Sequence, residues 1–392
     1  MEKNYQIVLY GATGFTGKLC AEYFKESYPD LNWAIAGRNK TKLKELKKEL
    51  NLECDIFVAD SDDYEAIKNF VSQTKVVLSA AGPFARYSTK VVEACVECKT
   101  HYTDITGENH WVKGLIDRFH EKAALDGTRI VPSCGYDSIP SDLGVYFSVT
   151  RSKQPVSHVT VYHSAKGGAS GGTTETMFTM GPLPKEMRDP FLLNPKDSVS
   201  EAQKNKSTDD FSVKPIPGTE AFSGMGLMAF ANTRVVRRSA ALFDLNQKSY
   251  GPDFTFKELG SYPSKAAARI TSFVLMSAFL IIATPLRYLV RPFLPKPGDG
   301  PDKEARDNGW FRGLFVANLE DGSEKRFEIF GSGDPGYKST SKMVCESALT
   351  LAFSEDLPFG SEFGGVLTSA VGLGDPLISR LMKAGITFEE LS

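Results

Sequence analysis

Tyr5-Gln-Ile-Val-Leu-Tyr-Gly-Ala-Thr-Gly-Phe-Thr-Gly17 is an apolar strand running straight into a glycine turn, Gly11-x-x-Gly14-x-x-Gly17. Gly11 permits the sharp turn off the strand. Gly14 lets the backbone approach a diphosphate, and Gly17 lets the following helix pack close to the strand. The N-terminus of that helix offers N–H groups and a partial positive charge to phosphates. Thr13, Phe15 and Thr16 complete the predicted contact set. A glycine triplet alone is weak evidence; a strand before it and a helix after it make it a dinucleotide signal.

The pattern continues outward from this turn. Strands are predicted at 33–36, 54–59, 75–80, 101–104 and from 129, with helices at 16–27, 41–50, 64–73, 88–98 and 109–125 between them. The run at 75–80 is apolar without a break, as parallel sheets require. Such alternation with short loops predicts a doubly wound α/β Rossmann domain over residues 1–145. Beyond it the pattern changes. Val156–Ser164 alternates like a half-exposed strand, 167–176 is rich in Gly, Ser and Thr, and 182–217 reads as irregular surface. A hairpin is expected from 311–318 and 325–330, then a helix at 340–353, a Gly-rich loop at 360–374 and a short helix at 377–383. We therefore expect a second α/β domain at 146–335, with a mixed or antiparallel sheet, carrying substrate contacts and a homodimer interface. A C-terminal segment, 336–392, is expected to return toward the first domain.

The 392 residues, 41% hydrophobic and 24% charged with a formal net charge of -2, describe a globular protein with no electrostatic case for nucleic acid as partner. Cys95 and Cys98 form a C-x-x-C with no second pair, so six scattered cysteines point to thiols in a reducing, intracellular compartment. No histidine lies at metal-ligand spacing, and no metal is expected. One segment stands apart: Ile270–Val290 is apolar over about the length of a membrane span. Its uninterrupted part ends at Ala283, Pro285 and Arg287 break the remainder, and Lys265, Arg269, Arg287 and Arg291 flank it. It reads as a buried helix, as a segment lying in a membrane interface, or as a span.

Cofactor choice falls at the end of the second strand. An NAD site places a carboxylate there for the ribose 2′-hydroxyl. This chain has Gly37-Arg38-Asn39-Lys40. Arg38 would pair with a 2′-phosphate in a charge-assisted way, which favours NADP over NAD. Asp60 is placed to reach adenine, and Ala81-Gly82-Pro83 to reach the nicotinamide ribose.

Candidates for proton donation should lie on loops at the carboxyl ends of strands. Tyr136, Asp137 and Ser138 follow a strand at the join of the two domains; the same stretch also reads as a tight junction with Asp137 capping a helix. Thr106, Gly107 and Glu108 sit at another strand end, where Glu108 also suits the first turn of the next helix. Ser170–Thr174 is a further candidate contact. Tyr162-x-x-x-Lys166 matches a known dehydrogenase dyad, but on a strand four residues span roughly 13 Å, too far for the pair to couple. His163 on the same strand is a candidate donor or a packed histidine.

Several motifs in order resemble the saccharopine dehydrogenase-like oxidoreductases: Gly11–Gly17, Ala36-Gly37-Arg38, Ser79-Ala-Ala-Gly-Pro-Phe84, Asp104-Ile-Thr-Gly-Glu108 and Gly135-Tyr-Asp-Ser-Ile-Pro-Ser-Asp-Leu-Gly144. The hydrophobic segment, Asp334-Pro-Gly-Tyr337, Gly364-Gly-Val-Leu-Thr368 and Arg380-Leu-x-x-x-Gly385 extend the resemblance over nearly the whole chain. Ser369 departs from it, standing where the family often has Pro. The resemblance implies a nucleotide-binding oxidoreductase. Its bacterial relatives are trans-acting enoyl reductases of glycolipid synthesis; its eukaryotic relatives are associated with membranes and lipid droplets. Three readings follow. The first is an NADPH-dependent reductase of a lipid-linked or apolar substrate, cytoplasmic and held at a membrane or droplet surface. The second is a cofactor-binding scaffold or sensor without turnover. The third is a saccharopine-type amino-acid dehydrogenase, which needs cations such as Arg234, Arg237 and Arg238 to clamp substrate carboxylates.

Overall fold

The computed structural model describes residues 3–167, 188–207, 212–290 and 302–391. Ser170–Thr174 and the flanking Gly- and Ser-rich stretch lie outside them. Thirteen strands are present among the described residues: β1 Tyr5–Tyr10, β2 Trp33–Gly37, β3 Asp55–Val58, β4 Thr74–Ser79, β5 His101–Asp104, β6 Arg129–Val131, β7 Val156–Lys166, β8 Phe222–Gly224, β9 Thr255–Tyr262, β10 Trp310–Leu319, β11 Glu324–Ser332, β12 Gly365–Val366 and β13 Ile386–Leu391. They form two sheets.

The first sheet has seven parallel strands in the order β12-β6-β5-β4-β1-β2-β3. Chain order reverses between β1 and β4, and the loops after these two strands flank the crevice where ligands bind in open α/β sheets. Both faces are covered, which is why β1 is apolar on alternate sides. Ile7 and Leu9 point into one core, Val8 and Tyr10 into the other. Doubly wound α/β architecture is thus present as expected.

The second sheet is mixed, in the order β13-β11-β10-β7-β9-β8, antiparallel except for the β7–β9 pair. The helix Ile139–Ser152 joins the two sheets. A Cβ at its Gly144 would fall 2.1 Å from the Phe315 ring, so glycine sets how closely this helix lies on the second sheet. Its Phe147 packs edge-on against Phe327 and Phe388. One continuous apolar core therefore runs from Ile7 and Leu78 through Leu143 to Phe315 and Phe388.

The C-terminal stretch serves both sheets. Helix Thr340–Phe353 packs against Phe15–Ser27 and covers one face of the first sheet. Its Glu346, fully buried, accepts hydrogen bonds from Tyr23 (2.7 Å), Tyr28 (2.6 Å) and Arg380 (2.9 Å). Within the loop expected at 360–374, β12 adds an edge to the first sheet; further on, β13 adds an edge to the second.

The apolar segment corrects one expectation. Helix Lys265–Ile282 is not a buried helix. Only its Ala268 is buried, while Ile270 is 64% and Phe273 74% exposed. It rests on the β8–β9 edge through one narrow face, where Ser272 accepts the Met225 N–H (2.9 Å). Among the described residues it is the one helix long and apolar enough to cross a membrane by length and composition.

Candidate active site

Four loops meet at the carboxyl edge of the first sheet. In the glycine turn, Gly11 has φ +81° and sits against Ala81: a Cβ there would lie 2.8 Å from the Ala81 N, so the β1 and β4 loops touch through bare backbone. A Cβ on Gly17 would fall 2.3 Å from the Gly11 oxygen. Helix Phe15–Ser27 has no side-chain cap and no acidic residue in its first turn. Its positive end is left for an anion, which is the cradle a diphosphate requires. Thr13 and Gly14 are exposed at this point. Phe15 faces the other way, edge-on to Tyr337 with ring centroids 5.0 Å apart and with Arg306 over it. The Asp334–Tyr337 motif, distant in sequence, thus braces the glycine turn.

Arg38 and Asp60 are exposed at the ends of β2 and β3. Both project charge onto Tyr10, whose phenol is pushed up to about 12 mainly by burial. Asn39 caps the next helix by accepting the Lys42 N–H, which leaves Arg38 in the turn just before it. Asp60 accepts the Asp62 N–H in a local turn.

The loop after β4 is held from outside. Gly82–Pro83 is a cis peptide. Glu108, buried, accepts the N–H of Phe84 (2.8 Å) and of Ala85 (3.0 Å). It is therefore an anchor for the loop after β4, and it stands at the N-cap of helix Asn109–Leu125 rather than in the first turn expected of it. Asp104 does the same between the β5 and β6 loops, accepting the N–H of Thr106 and of Ser133, each at 2.9 Å. Burial raises its carboxyl to about 7.

The junction loop brings Tyr136, Asp137 and Ser138 together with residues distant in the chain. The Tyr136 N–H donates to Thr340 Oγ1 (3.0 Å), and its ring stands edge-on to Phe311 and His163. Asp137 does not cap the helix; the N-cap is Ser138, without a side-chain cap bond. Instead the Asp137 carboxylate faces Gly107, where a Cβ would stand 3.9 Å from its Oδ2 and 3.8 Å from the Met228 methyl. Ser138 Oγ donates to Asn232 Oδ1 (3.1 Å), and Asn232 Nδ2 donates to Glu258 Oε1 (2.9 Å). Ser141 Oγ donates to Glu258 Oε2 (2.7 Å) and lies 2.9 Å from His163 Nε2. Burial raises Asp137 to about 6 and Glu258 to about 7, and lowers His163 to about 4. His163 Nε2 and Glu258 Oε2 are 3.8 Å apart, but both groups are driven toward neutrality, so hydrogen bonds rather than an ion pair connect them.

Sequence reasoning missed Asn232 and Glu258, which sit at no recognisable spacing, and did not single out Ser141 within the Gly135–Gly144 motif. Tyr162 and Lys166 lie on the extended strand β7, which rules out coupling over one helical turn.

The saccharopine dehydrogenase NADP-binding domain matches residues 7–131. A trans-acting enoyl reductase of Mycobacterium tuberculosis is 34% identical over 99% of this chain and 97% of its own length. One from Mycobacterium ulcerans is 32% identical over 98% and 97%. The chain belongs to the saccharopine dehydrogenase-like family. It is an NAD(P)-dependent oxidoreductase, and the matched domain makes NADP its cofactor. Apo saccharopine dehydrogenase (L-Glu forming) from Saccharomyces cerevisiae shares the fold, with a TM-score of 0.54 and 13% identity over 99% of this chain and 100% of that one.

The three arginines considered for a carboxylate clamp are committed to the protein's own backbone. Arg238 is fully buried and donates to the carbonyls of Leu193 and Val366. Arg237 donates to those of Pro190 and Ser207, and Arg234 to that of Arg188. These arginines tie backbone segments together within the protein; they form no exposed clamp for substrate carboxylates. Among the described residues no cluster of His, Cys, Asp and Glu is arranged to hold a metal.

Proposed function

We propose that this oxidoreductase reduces the carbon–carbon double bond of an enoyl thioester on an apolar chain, working at a lipid surface. The observation that carries the reading is the joining of an NADP cradle to a junction loop of buried acids, each raised above its ordinary value, in a chain one-third identical to enoyl reductases along its full length. NADPH supplies the hydride when bound. Gly11, Thr13, Gly14, Phe15, Thr16 and Gly17 would form the diphosphate turn, Arg38 would meet the 2′-phosphate, Asp60 the adenine, and Ala81, Gly82 and Pro83 the nicotinamide ribose.

Enoyl reduction needs one proton at the carbon next to the thioester. Tyr136 is one donor candidate: burial holds its phenol well above its ordinary value, which keeps it protonated while making it a weaker acid. Asp137, held at about 6 by burial, is the second donor candidate and faces the Gly107 edge directly. Ser138 is engaged with Asn232 and serves to fix the loop.

The lipid surface is supported by the exposed helix. Its outer face carries Ile270, Phe273, Val274 and Leu280, and Lys265, Arg269 and Arg287 flank it with positive charge suited to anionic headgroups. Phe279 on this helix meets Phe230 at 5.7 Å, joining it to the start of helix Ala229–Leu245, whose N-cap Met228 lies beside Gly107.

NADPH oxidation with a long-chain enoyl thioester, compared with saccharopine, tests the reaction. Turnover of the enoyl substrate alone is expected; turnover of saccharopine alone, or of neither while NADPH still binds, would overturn the reading. Flotation with anionic vesicles tests the surface. Phe273→Ser with Leu280→Ser is expected to lower partitioning by at least about tenfold.

A further inference from the structure

Segment 225–232 bridges the apolar helix and the junction loop, and it is pinned at both ends. At one end Ser272 Oγ accepts the Met225 N–H, and the Tyr262 hydroxyl donates to the Met225 carbonyl (2.7 Å). Gly226 keeps the segment close to β9, since a Cβ there would stand 3.4 Å from the Gly260 N. At the other end Asn109 Nδ2 donates to the Ala231 carbonyl (3.0 Å), and Asn232 accepts from Ser138 (3.1 Å). The side chains this fixed backbone shows to its surroundings are apolar. Leu227 is 50% and Phe230 38% exposed, Met228 and Ala231 are half-buried, and Met225, Ala229 and Asn232 are buried. Single exposed apolar side chains are ordinary; a run of them leading from an apolar helix to a reaction loop marks a contact surface. The Phe230 ring is held in place, edge-on to Phe279 and with the Arg234 guanidinium over it at 5.8 Å. The Met228 methyl and Asp137 Oδ2 both border the space that a side chain on Gly107 would take up.

We propose that Leu227, Met228 and Phe230 form the track on which the acyl chain of the substrate lies, Met228 guiding it past Gly107 and Phe230 leading it to helix Lys265–Ile282. This rests on the reading of the substrate as an enoyl thioester on an apolar chain. A hydrocarbon tail that leaves the junction loop needs apolar surface to lie on, because each CH2 left in water forgoes its share of binding. The inner side of the loop is closed to it. Ser138, Ser141, Asn232 and Glu258 fill that side with hydrogen-bonded polar groups, which an alkyl chain would strip of partners. The bridge is the apolar way out. Met228 suits the narrow point beside Gly107, since an unbranched thioether adapts its shape to the chain passing it. Beyond Phe230 the track meets Phe279, and with it the helix whose outer face carries Phe273 and Leu280. The same apolar side chains thus serve a chain drawn from a lipid surface and a chain held during reduction.

Calorimetric titration of butyryl, octanoyl and dodecanoyl coenzyme A into the NADP-loaded protein tests the track without turnover. For a chain covered on one side, affinity should rise about twofold with each added CH2. Leu227→Ser with Phe230→Ser should weaken dodecanoyl binding by about tenfold, and the loss should shrink as the chain is shortened. Both side chains are exposed, so the variant should fold; circular dichroism and NADPH affinity check this. A dodecanoyl chain carrying a terminal diazirine should, on irradiation, label residues 227–230 or helix Lys265–Ile282. Affinity independent of chain length in the wild type, an equal loss at every length in the variant, or labelling elsewhere would overturn the proposal. If binding behaves as expected while enoyl thioesters leave NADPH unoxidised, the track stands and the proposed reaction fails. If enoyl thioesters are reduced with the same chain-length preference in variant and wild type, the reaction stands and the track fails.

Discussion

The glycine turn and the junction loop face the same edge of the first sheet, yet they are built in opposite ways. The turn is made of backbone: its precision comes from side chains that are absent at Gly11 and Gly17, within seven consecutive residues. The junction is made of side chains drawn from Tyr136 to Thr340, each placed by another. A site for an invariant group such as a diphosphate can be local. A junction that buries several carboxyl, hydroxyl and amide groups needs partners from several elements, because each buried polar atom requires one.

The sharpest way to break the contrast is at Gly17. A Cβ in Gly17→Ala would press on backbone of Gly11 and Ala12, which cannot swing aside. Loss of NADPH binding is expected, with destabilisation of about 3 kcal/mol, measured by fluorescence titration and urea melts. Next is Glu108→Ala, which leaves the Phe84 and Ala85 amides without an acceptor. About 2 kcal/mol of stability should be lost, and NADPH affinity should fall because the nicotinamide-side loop is released. Arg38→Asp should act on one cofactor only. NADPH should bind about tenfold more weakly, roughly 1.4 kcal/mol, with NADH little changed; equal loss for both would remove Arg38 from the 2′-phosphate site.

The smallest effect, and the most diagnostic of the junction, is the pH dependence of Glu258→Gln. The folded carboxyl keeps its proton up to about 7, whereas an unfolded Glu releases it near about 4.3. Between these values the folded state binds more protons, so this group makes the wild type less stable as pH rises. Glutamine has no such dependence. Melting temperatures should therefore move in favour of the variant from about pH 4.3 to about pH 7; a constant difference would show that Glu258 ionises normally.

The same contrast decides what could be read from the sequence. Strand–helix alternation, the glycine turn and the hairpin were legible because their patterns repeat over neighbouring residues. Helix Ala229–Leu245 was not: it buries Arg234, Arg237 and Arg238, which erases an apolar stripe, and the carbonyls that satisfy them lie far along the chain. Asn232 and Glu258 were hidden for the same reason. Strand β12 has two residues, too few for any period to show. For the helix at 265–282, composition marked its length but could not say whether protein covered it, since a core helix and an exposed one share the same residues.

Strands β12 and β13 have a consequence for how the molecule comes into being. The β6 edge of the first sheet waits for Gly365–Val366, and the β11 edge of the second waits for Ile386–Leu391. A nascent chain emerges from its N-terminus, so all six other strands of the dinucleotide sheet are available long before the seventh. Each sheet keeps one edge open until these late strands have been made, well after its other strands. A stop after Arg380 would leave the cradle for NADP almost whole and the β11 edge bare, exposed to pairing with other chains.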